Sequence, residues 1–499
     1  NKMLNFTNKP YVQLIPILIG LFFASDDQTV VVTILPKIML DLRIGIGELE
    51  KAAWTITGYL IGYVAVMPIM GRFSDIFGRK KIYALAMTIF IVGSVGTALT
   101  GSFDNYNDNL LIERINTIEW VIATRILQAI GAGALLPVSI AIISDIFSAS
   151  KRGIPIGLAG GAAEAGAVIG PLYGGLITEF LSWQWVFWLN VPISLIVLAL
   201  VLISTRSTST IKSKIDYKGS LLIIIFISSL IIGFSEISNL NLFMATFMII
   251  SGLAITMYYL ISKNSSHPVI PINIFKNTSL SSASIVNVFY GSSLIIIMVT
   301  VPLMTNTVLM GTYLDGGLML SRMTLMIAIG AVLGGILSRR YKLSYIMVPS
   351  LLLCSISAWL MSTWTQDISD PFMSIHLGLA GLGFGLLIAP ITLGAINNAP
   401  KTLEGTVSGL IIASRFLGMA LGIAALSVWG AGKFQNLISG ISIPESNLIQ
   451  GMTIVQMNEY ENLLVEVGLS LFSNFYIASS IICLIAIIPC LFIKDSKSN

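Results

Sequence analysis

The chain has 499 residues, 55% of them hydrophobic and only 10% charged, with a formal net charge of +4. Mean hydropathy is +0.88, which excludes a soluble domain with one anchor and implies a polytopic protein of the cell membrane. Cys354, Cys483 and Cys490 fall inside apolar runs and His267 and His376 stand apart, so neither a disulfide framework, a metal site nor a nucleic-acid partner is expected.

Apolar runs of spanning length occur fourteen times, near 11–36, 52–71, 82–101, 119–146, 153–178, 184–204, 217–235, 242–262, 280–306, 317–338, 344–364, 372–397, 405–431 and 470–493. The first carries Asp26 and Asp27 without a small-residue cleavage pattern, so no cleavable signal peptide is expected. Placing both termini in the cytoplasm puts Arg72, Arg79, Lys80, Lys81, Lys151, Arg152, Arg339 and Arg340 on that side. Only Lys37, Arg43, Lys51, Arg114 and Lys433 then fall outside, as the positive-inside bias requires. Arg125, Arg322 and Arg415 stay within the membrane.

The chain repeats itself. Gly153, Gly157, Gly166 and Gly170 recur as Gly405, Gly409, Gly418 and Gly422, each 252 positions later. The expected fold is all-α, with two six-helix bundles running in the same sense and an inserted hairpin. The bundles cover residues 1–204 and 263–499, the hairpin 217–262, and a basic linker 205–216 joins them; residues 432–468 form an external loop whose last third reads as an amphipathic helix. A carrier that rocks about a midplane site has this organisation.

Several stretches carry chemistry. Gly71-Arg72-Phe73-Ser74-Asp75-Ile76-Phe77-Gly78-Arg79-Lys80 places a tight helix exit, a turn and a cationic clamp around one acid. Asp75 is suited to pair with a cation or to accept bonds from a neighbouring helix N-terminus; a plain topology determinant is the alternative. Asp26 and Asp27 lie mid-span, where a carboxylate is expensive unless it lines a cavity or is neutralised, and consecutive helical positions point about 100° apart. Arg125 is the basic residue of the fourth span and can serve such an acid, or instead neutralise Glu113 or Glu119. In the fifth span, Gly166, Gly170, Gly174 and Gly175 with Pro171 offer a smooth, bent face for close helix packing, and Glu164 sits beside them. Glu164 is open to three readings: a second protonation site, a contact for a cationic substrate, or a packing residue. Tyr59 and Tyr63 share a face of the second span and can present rings to a lipophilic cation, whereas Trp54 is as well read as an interface marker.

The stretch 71–80 resembles the loop signature of the major facilitator superfamily. Arg125-Ile126-Leu127-Gln128 with Gly131 and Gly133 is similar to that family's fourth-helix motif, and Gly166-x-x-x-Gly170-Pro171-x-x-Gly174-Gly175 to its antiporter motif. Asp27-Gln28-Thr29-Val30-Val31 through Leu35-Pro36, and Trp183-Gln184-Trp185-Val186-Phe187 with Asn190-Val191-Pro192, resemble the fourteen-helix drug:proton antiporters.

The resemblance implies a monomeric multidrug exporter, without cofactor, that exchanges protons for small amphipathic or cationic compounds across the bilayer. Asp27, Asp26 and Arg125 would couple to protons, with Glu164, which the fifth-helix motif does not contain, a further candidate from its own position; Tyr59, Tyr63, Gln128 and Trp54 would line the cavity, and the 71–79 loop and fifth-helix glycines would gate. A proton-coupled exporter of one metabolite, lipid or siderophore shares every one of these features. A membrane sensor is disfavoured because no soluble output domain is visible, and an enzyme because no nucleophile–base set can be assembled. No phosphate-binding loop with Lys-Ser/Thr points to ATP. Arg415 has no acid near it in the thirteenth span, and Arg339 stands where the second copy would align with Asp75.

Overall fold

The computed structural model describes residues 10–44, 49–101, 115–205, 215–236, 241–265, 267–311, 313–438 and 454–495. Fourteen helices in it are long and apolar enough to cross a membrane, and no strand occurs among the described residues. They are α1 (Pro10–Asp41), α2 (Leu49–Phe77), α3 (Arg79–Ala98), α4 (Ile118–Ile146), α5 (Gly153–Phe180), α6 (Gln184–Ser204), α7 (Tyr217–Ser235) and α8 (Leu242–Asn264). The series continues with α9 (Thr278–Thr307), α10 (Tyr313–Leu337), α11 (Leu343–Ser362), α12 (Phe372–Ile396), α13 (Glu404–Ile438) and α14 (Ile454–Cys490).

Helix is the form in which these apolar runs satisfy their own backbone away from water. Side-chain caps start several of them: Thr117 accepts from the Trp120 N–H, Asp216 from Gly219 and Asn241 from Met244. Prolines are kept inside α2, α4, α5, α6, α9, α11, α12 and α14, as membrane helices tolerate. The outer stretches of 432–468 continue α13 and lead into α14, so the amphipathic helix expected there is the start of a spanning helix. The middle of that loop, residues 439–453, and the linker core, 206–214, lie outside the described residues, as does Glu113.

The sequence repeat reappears as a repeat of contacts. Over its first half α5 packs on α10, and over its second half on α1; α13 does the same with α2 and α9. A methyl group added to Gly157 would lie 2.3 Å from the Ala331 carbonyl oxygen, and one on Gly409 2.4 Å from that of Met67. On Gly166 it would lie 2.1 Å from the Phe22 carbonyl oxygen, and on Gly418 2.0 Å from that of Val288. Backbone meets backbone in all four places, and only glycine leaves the room. Gly175 differs from the expectation: nothing lies within 4 Å of the position its Cβ would take, so it faces away from the packed seam.

The contacts of the first kind join the two bundles and those of the second kind hold each bundle together. The close approaches between bundles gather at one end of the molecule, where α2 and α10 finish and α5 and α13 begin. That is the end bearing the Gly78 turn, and the bundles are closed there. The hairpin α7–α8 rests on this seam through α7, which touches both α2 and α13, while α8 packs on α7 and the short turn Ile272–Lys276.

Gly71→Val tests the closure, since a Cβ there would lie 2.1 Å from the Gly405 carbonyl oxygen. The overpacking should cost the closed conformer about 1–3 kcal/mol. Ser408, fully buried in this seam and donating to the Pro137 carbonyl at 2.9 Å, supplies the probe. Maleimide labelling of Ser408→Cys should speed up several-fold when Gly71→Val is added, and an unchanged rate would mean that the contact does not hold the bundles together.

Candidate functional site

Asp26 and Asp27 occupy adjacent positions of α1 and turn to different neighbours. Asp27 faces α4 and α6 and is fully buried. Arg125 Nη1 donates to its Oδ2, and Nη2 to its backbone carbonyl at 3.0 Å. Gln128 Nε2 and Asn190 Nδ2 donate to its Oδ1 at 2.9 and 3.0 Å. Gln128 in turn accepts from Arg125 at 2.6 Å and donates to Ser94 on α3 at 2.8 Å. The guanidinium lies over the Tyr59 ring, 4.1 Å from its centroid. Five helices thus meet on one ion pair, and each group in it satisfies another. The partner of Arg125 is Asp27 and not Glu119.

Asp26 turns the other way, toward α5. It is 2% exposed, and its carboxyl makes no hydrogen bond or ion pair among the described residues; Oδ1 is buried without a partner. A Cβ at residue 170 would lie 3.1 Å from that oxygen and 2.7 Å from the Asp26 carbonyl, so Gly170 is the floor on which the acid rests. The Tyr173 hydroxyl of the same helix is also buried without a hydrogen-bond partner.

A second ion pair bridges the bundles at mid-depth. Arg415 Nη2 on α13 donates to Glu164 Oε1 on α5. Arg415 also lies 5.0 Å from the Tyr290 ring centroid. Tyr63 stacks on Tyr59 at 5.8 Å and meets Phe416 edge-on at 5.2 Å, so a line of rings on α2 connects the Arg125 pair to the Arg415 pair. Arg415, which has no acid within reach on its own helix, therefore finds one 251 positions away, and Glu164 acquires a definite partner. Arg322, in the first half of α10, pairs with Asp370 just before the start of α12 at 2.7 Å, where both are substantially exposed. There the Ser374 hydroxyl, and after it the Arg322 guanidinium, hold the Asp370 carboxyl below its usual range.

At the closed end Asp75 does both things expected of it. It pairs with Arg79, one turn on across the Gly78 bend (φ 96°), and it caps α13, accepting from the N–H groups of Gly405 and Thr406 at 3.0 Å each and from the Thr406 hydroxyl at 2.8 Å. Arg79 continues to Asp145 on α4 at 3.2 Å. Across the same seam Arg152 pairs with Glu404 at 3.1 Å. The aligned Arg339 is exposed, so the second copy of the loop makes no such cap.

Of the predicted residues, Asp27, Arg125, Gln128, Tyr59 and Tyr63 come together, and Glu164 joins them through Arg415. Gln128, Tyr59 and Tyr63, expected on an open cavity, are packed inside the cage in this conformer. Trp54 is half-buried near the start of α2 and makes no ring contact with the site. Pro171 lies inside α5, and Gly174 packs against Val30 and Thr33 of α1. Sequence reasoning missed Ser94, Tyr290, Asp145, Arg152, Glu404 and Thr406 as participants. Asn190 was visible as a motif residue without a role, and Trp183 of the same motif is fully buried with its Nε1–H donating to Asp41 at 2.8 Å.

Asp27→Asn leaves a buried guanidinium facing a neutral amide and should cost about 3–5 kcal/mol of stability. The double variant Asp27→Asn/Arg125→Gln removes both charges and should recover much of the loss. Thermal denaturation of the four chains in nanodiscs closes the cycle, and strictly additive losses would show that the two side chains do not interact.

The Major Facilitator Superfamily model matches residues 17–423. A triacylglyceride transporter of Mycobacterium tuberculosis (strain ATCC 25618 / H37Rv) is 30% identical over 504 residues, covering 96% of this chain and 94% of the relative. Multidrug resistance protein 3 of Bacillus subtilis (strain 168) is 28% identical over 433 residues, covering 85% and 80%. Among solved structures, a proton:xylose symporter superposes with TM-score 0.60 at 13% identity, covering 95% of this chain and 94% of its own. The human organic anion transporter MFSD10 superposes at 0.59 with 14% identity, covering 95% and 99%. These last two show the shared fold alone. Fourteen spanning helices, paired six-helix bundles and the family match agree: the chain is a multi-pass membrane transporter, not an enzyme, and belongs to the Major Facilitator Superfamily.

Proposed function

We propose that this transporter is a monomeric, proton-driven exporter of a lipid or comparable uncharged amphiphile, working by alternating access without a cofactor. The observation that carries the reading is the charge balance at mid-depth. Arg125 is matched by Asp27 and Arg415 by Glu164, while Asp26 is buried without a partner. A lone acid in a low-dielectric site is cheapest with its proton on, so the centre holds no surplus negative charge to draw in a cation. The relatives named as triacylglyceride transporters support a lipid cargo over the drug-type cargo that the motifs suggested.

In this reading the closed end, held by Asp75 and by the Arg152–Glu404 pair, faces the cytoplasm, as the Lys and Arg bias implies. Asp26 holds the proton in this conformer and releases it in the other. Parting the bundles breaks the Glu164–Arg415 bridge, and an incoming proton on Glu164 lowers the cost of leaving it. The Asp27–Arg125 pair stays within one bundle and serves as its fixed core. Drug efflux is the second reading, favoured by the Tyr59–Tyr63 ring pair beside the acids and by the Bacillus relative's name.

Proteoliposomes under an imposed proton gradient decide between them. A fluorescent triacylglyceride should move in proportion to the gradient, and Asp26→Asn should abolish that dependence while the protein stays folded. Gradient-driven ethidium movement with no lipid movement would overturn the lipid reading, and lipid movement indifferent to the gradient would overturn the coupling.

A further inference from the structure

The inserted hairpin has no counterpart in the two-bundle repeat, and the structure shows what it encloses. Between α2, α13 and the hairpin lies a cavity of about 160 Å³. Val64 and Pro68 of α2 form one wall, Ala413 and Leu417 of α13 a second, and Ile227 and Ile255 of the hairpin a third. The walls therefore come from both bundles and from the insertion together. Two polar side chains reach the lining, and both are already engaged. Ser414 donates to the Leu410 carbonyl of its own helix at 2.7 Å. The Tyr258 hydroxyl donates to the Ile270 carbonyl at 2.7 Å and accepts from the Ile270 N–H at 2.9 Å. Nothing in the lining asks for water or for a hydrogen-bonding ligand, and an apolar void without such groups does not hold water.

The surroundings specify the occupant further. The hairpin's outer face exposes Leu221, Ile249 and Leu253, so hydrocarbon is the medium on the far side of the wall. At the closed end of the molecule the rim is cationic. Lys218 lies in the first turn of α7, Lys263 in the last turn of α8 and Lys276 at the end of the turn before α9; all three are exposed, and none forms an ion pair among the described residues. The general bias of Lys toward one face accounts for their side of the membrane. It does not account for the nearby apolar cavity, whose lining residues Ile223, Tyr258 and Phe275 lie five, five and one positions along the chain from Lys218, Lys263 and Lys276. An apolar hole beneath a cationic rim complements an amphiphile with an anionic head.

We propose that this cavity takes up a segment of one acyl chain of an anionic phospholipid, whose headgroup sits at Lys218, Lys263 and Lys276. Because Pro68 and Ala413 belong to different bundles, tilting one bundle against the other reshapes the cavity. A lipid seated there favours the closed-end conformer, as any ligand favours the state it fits. The hairpin then acts as the outer wall of a lateral lipid site on the seam, independent of what the protein carries through its centre.

The test uses the full-length protein in nanodiscs with phosphatidylglycerol bearing a diazirine in its acyl chain, compared with phosphatidylcholine of identical chains. After illumination, adducts are mapped by peptide mass spectrometry. Label should concentrate on the α2, α7 and α13 peptides around Pro68, Ile227 and Ala413, several-fold more from phosphatidylglycerol. Ala413→Trp should remove it from these peptides, and Ile227→Trp does the same from the hairpin side should the first variant fold poorly. The triple variant Lys218→Glu/Lys263→Glu/Lys276→Glu should erase the difference between the two lipids. Label spread over the bilayer-facing residues and unmoved by either tryptophan overturns the site, and equal labelling by the two lipids overturns its anionic preference. Neither result depends on the transported substrate.

Discussion

A guanidinium cannot be left unmatched in the middle of a bilayer, and the arrangement of the first six helices follows from how Arg125 is matched. Its two amino groups, spread in a plane, take Asp27 from α1 and Gln128 from its own helix, while its face takes Tyr59 from α2. Asn190 then brings α6 to the same carboxylate, and Ser94 brings α3 to Gln128. A polar cluster of this kind, satisfied except at Arg125 Nε and Asn190 Oδ1, fixes one register for five helices that apolar packing alone would leave free to slide. Arg415 repeats the requirement in the second bundle, but its acid comes from the first. One cation therefore builds a bundle and the other ties two bundles together.

Glycine determines where such ties are possible. Charged groups can bridge α5 and α13 only because the helices around them approach to backbone contact, and a pair of glycines four residues apart is used twice along each. In α5 the second pair, Gly166 and Gly170, seats α1 and leaves room for the Asp26 carboxyl. A side chain at 170 would fill that room. The fifth-helix motif thus performs two tasks, seam and cradle, which the proline and glycines alone do not reveal.

The closed end is held differently, by a helix start. Asp75 meets the unpaired N–H groups of α13, so an acid on one bundle caps a helix of the other. Such a cap exists only while the two helices touch, so it contributes to this closed arrangement alone. The absence of a second Asp leaves the counterpart loop without it, and Arg152 with Glu404 supplies the added hold. The two copies have kept the packing and divided the electrostatics.

The sequence by itself determined the fourteen spans, their division into two repeated sets with an insertion, and the residues too costly to be idle in lipid. Those follow from local quantities: run length, glycine spacing and the penalty on a buried charge. It also showed Asp75 as an acid suited to a helix N-terminus. Partners across long separations were not legible. Glu164 and Arg415, or Asp26 and Gly170, are set by which helix face meets which, and helical periodicity has little to say when nearly every face is apolar. Gly175 looks like its neighbours in the motif and packs on nothing. Tertiary structure alone decided that Asp27 is paired and Asp26, equally buried, is not, because a rotation of one position, about 100° around α1, sends one acid to a cation and the other to a bare backbone.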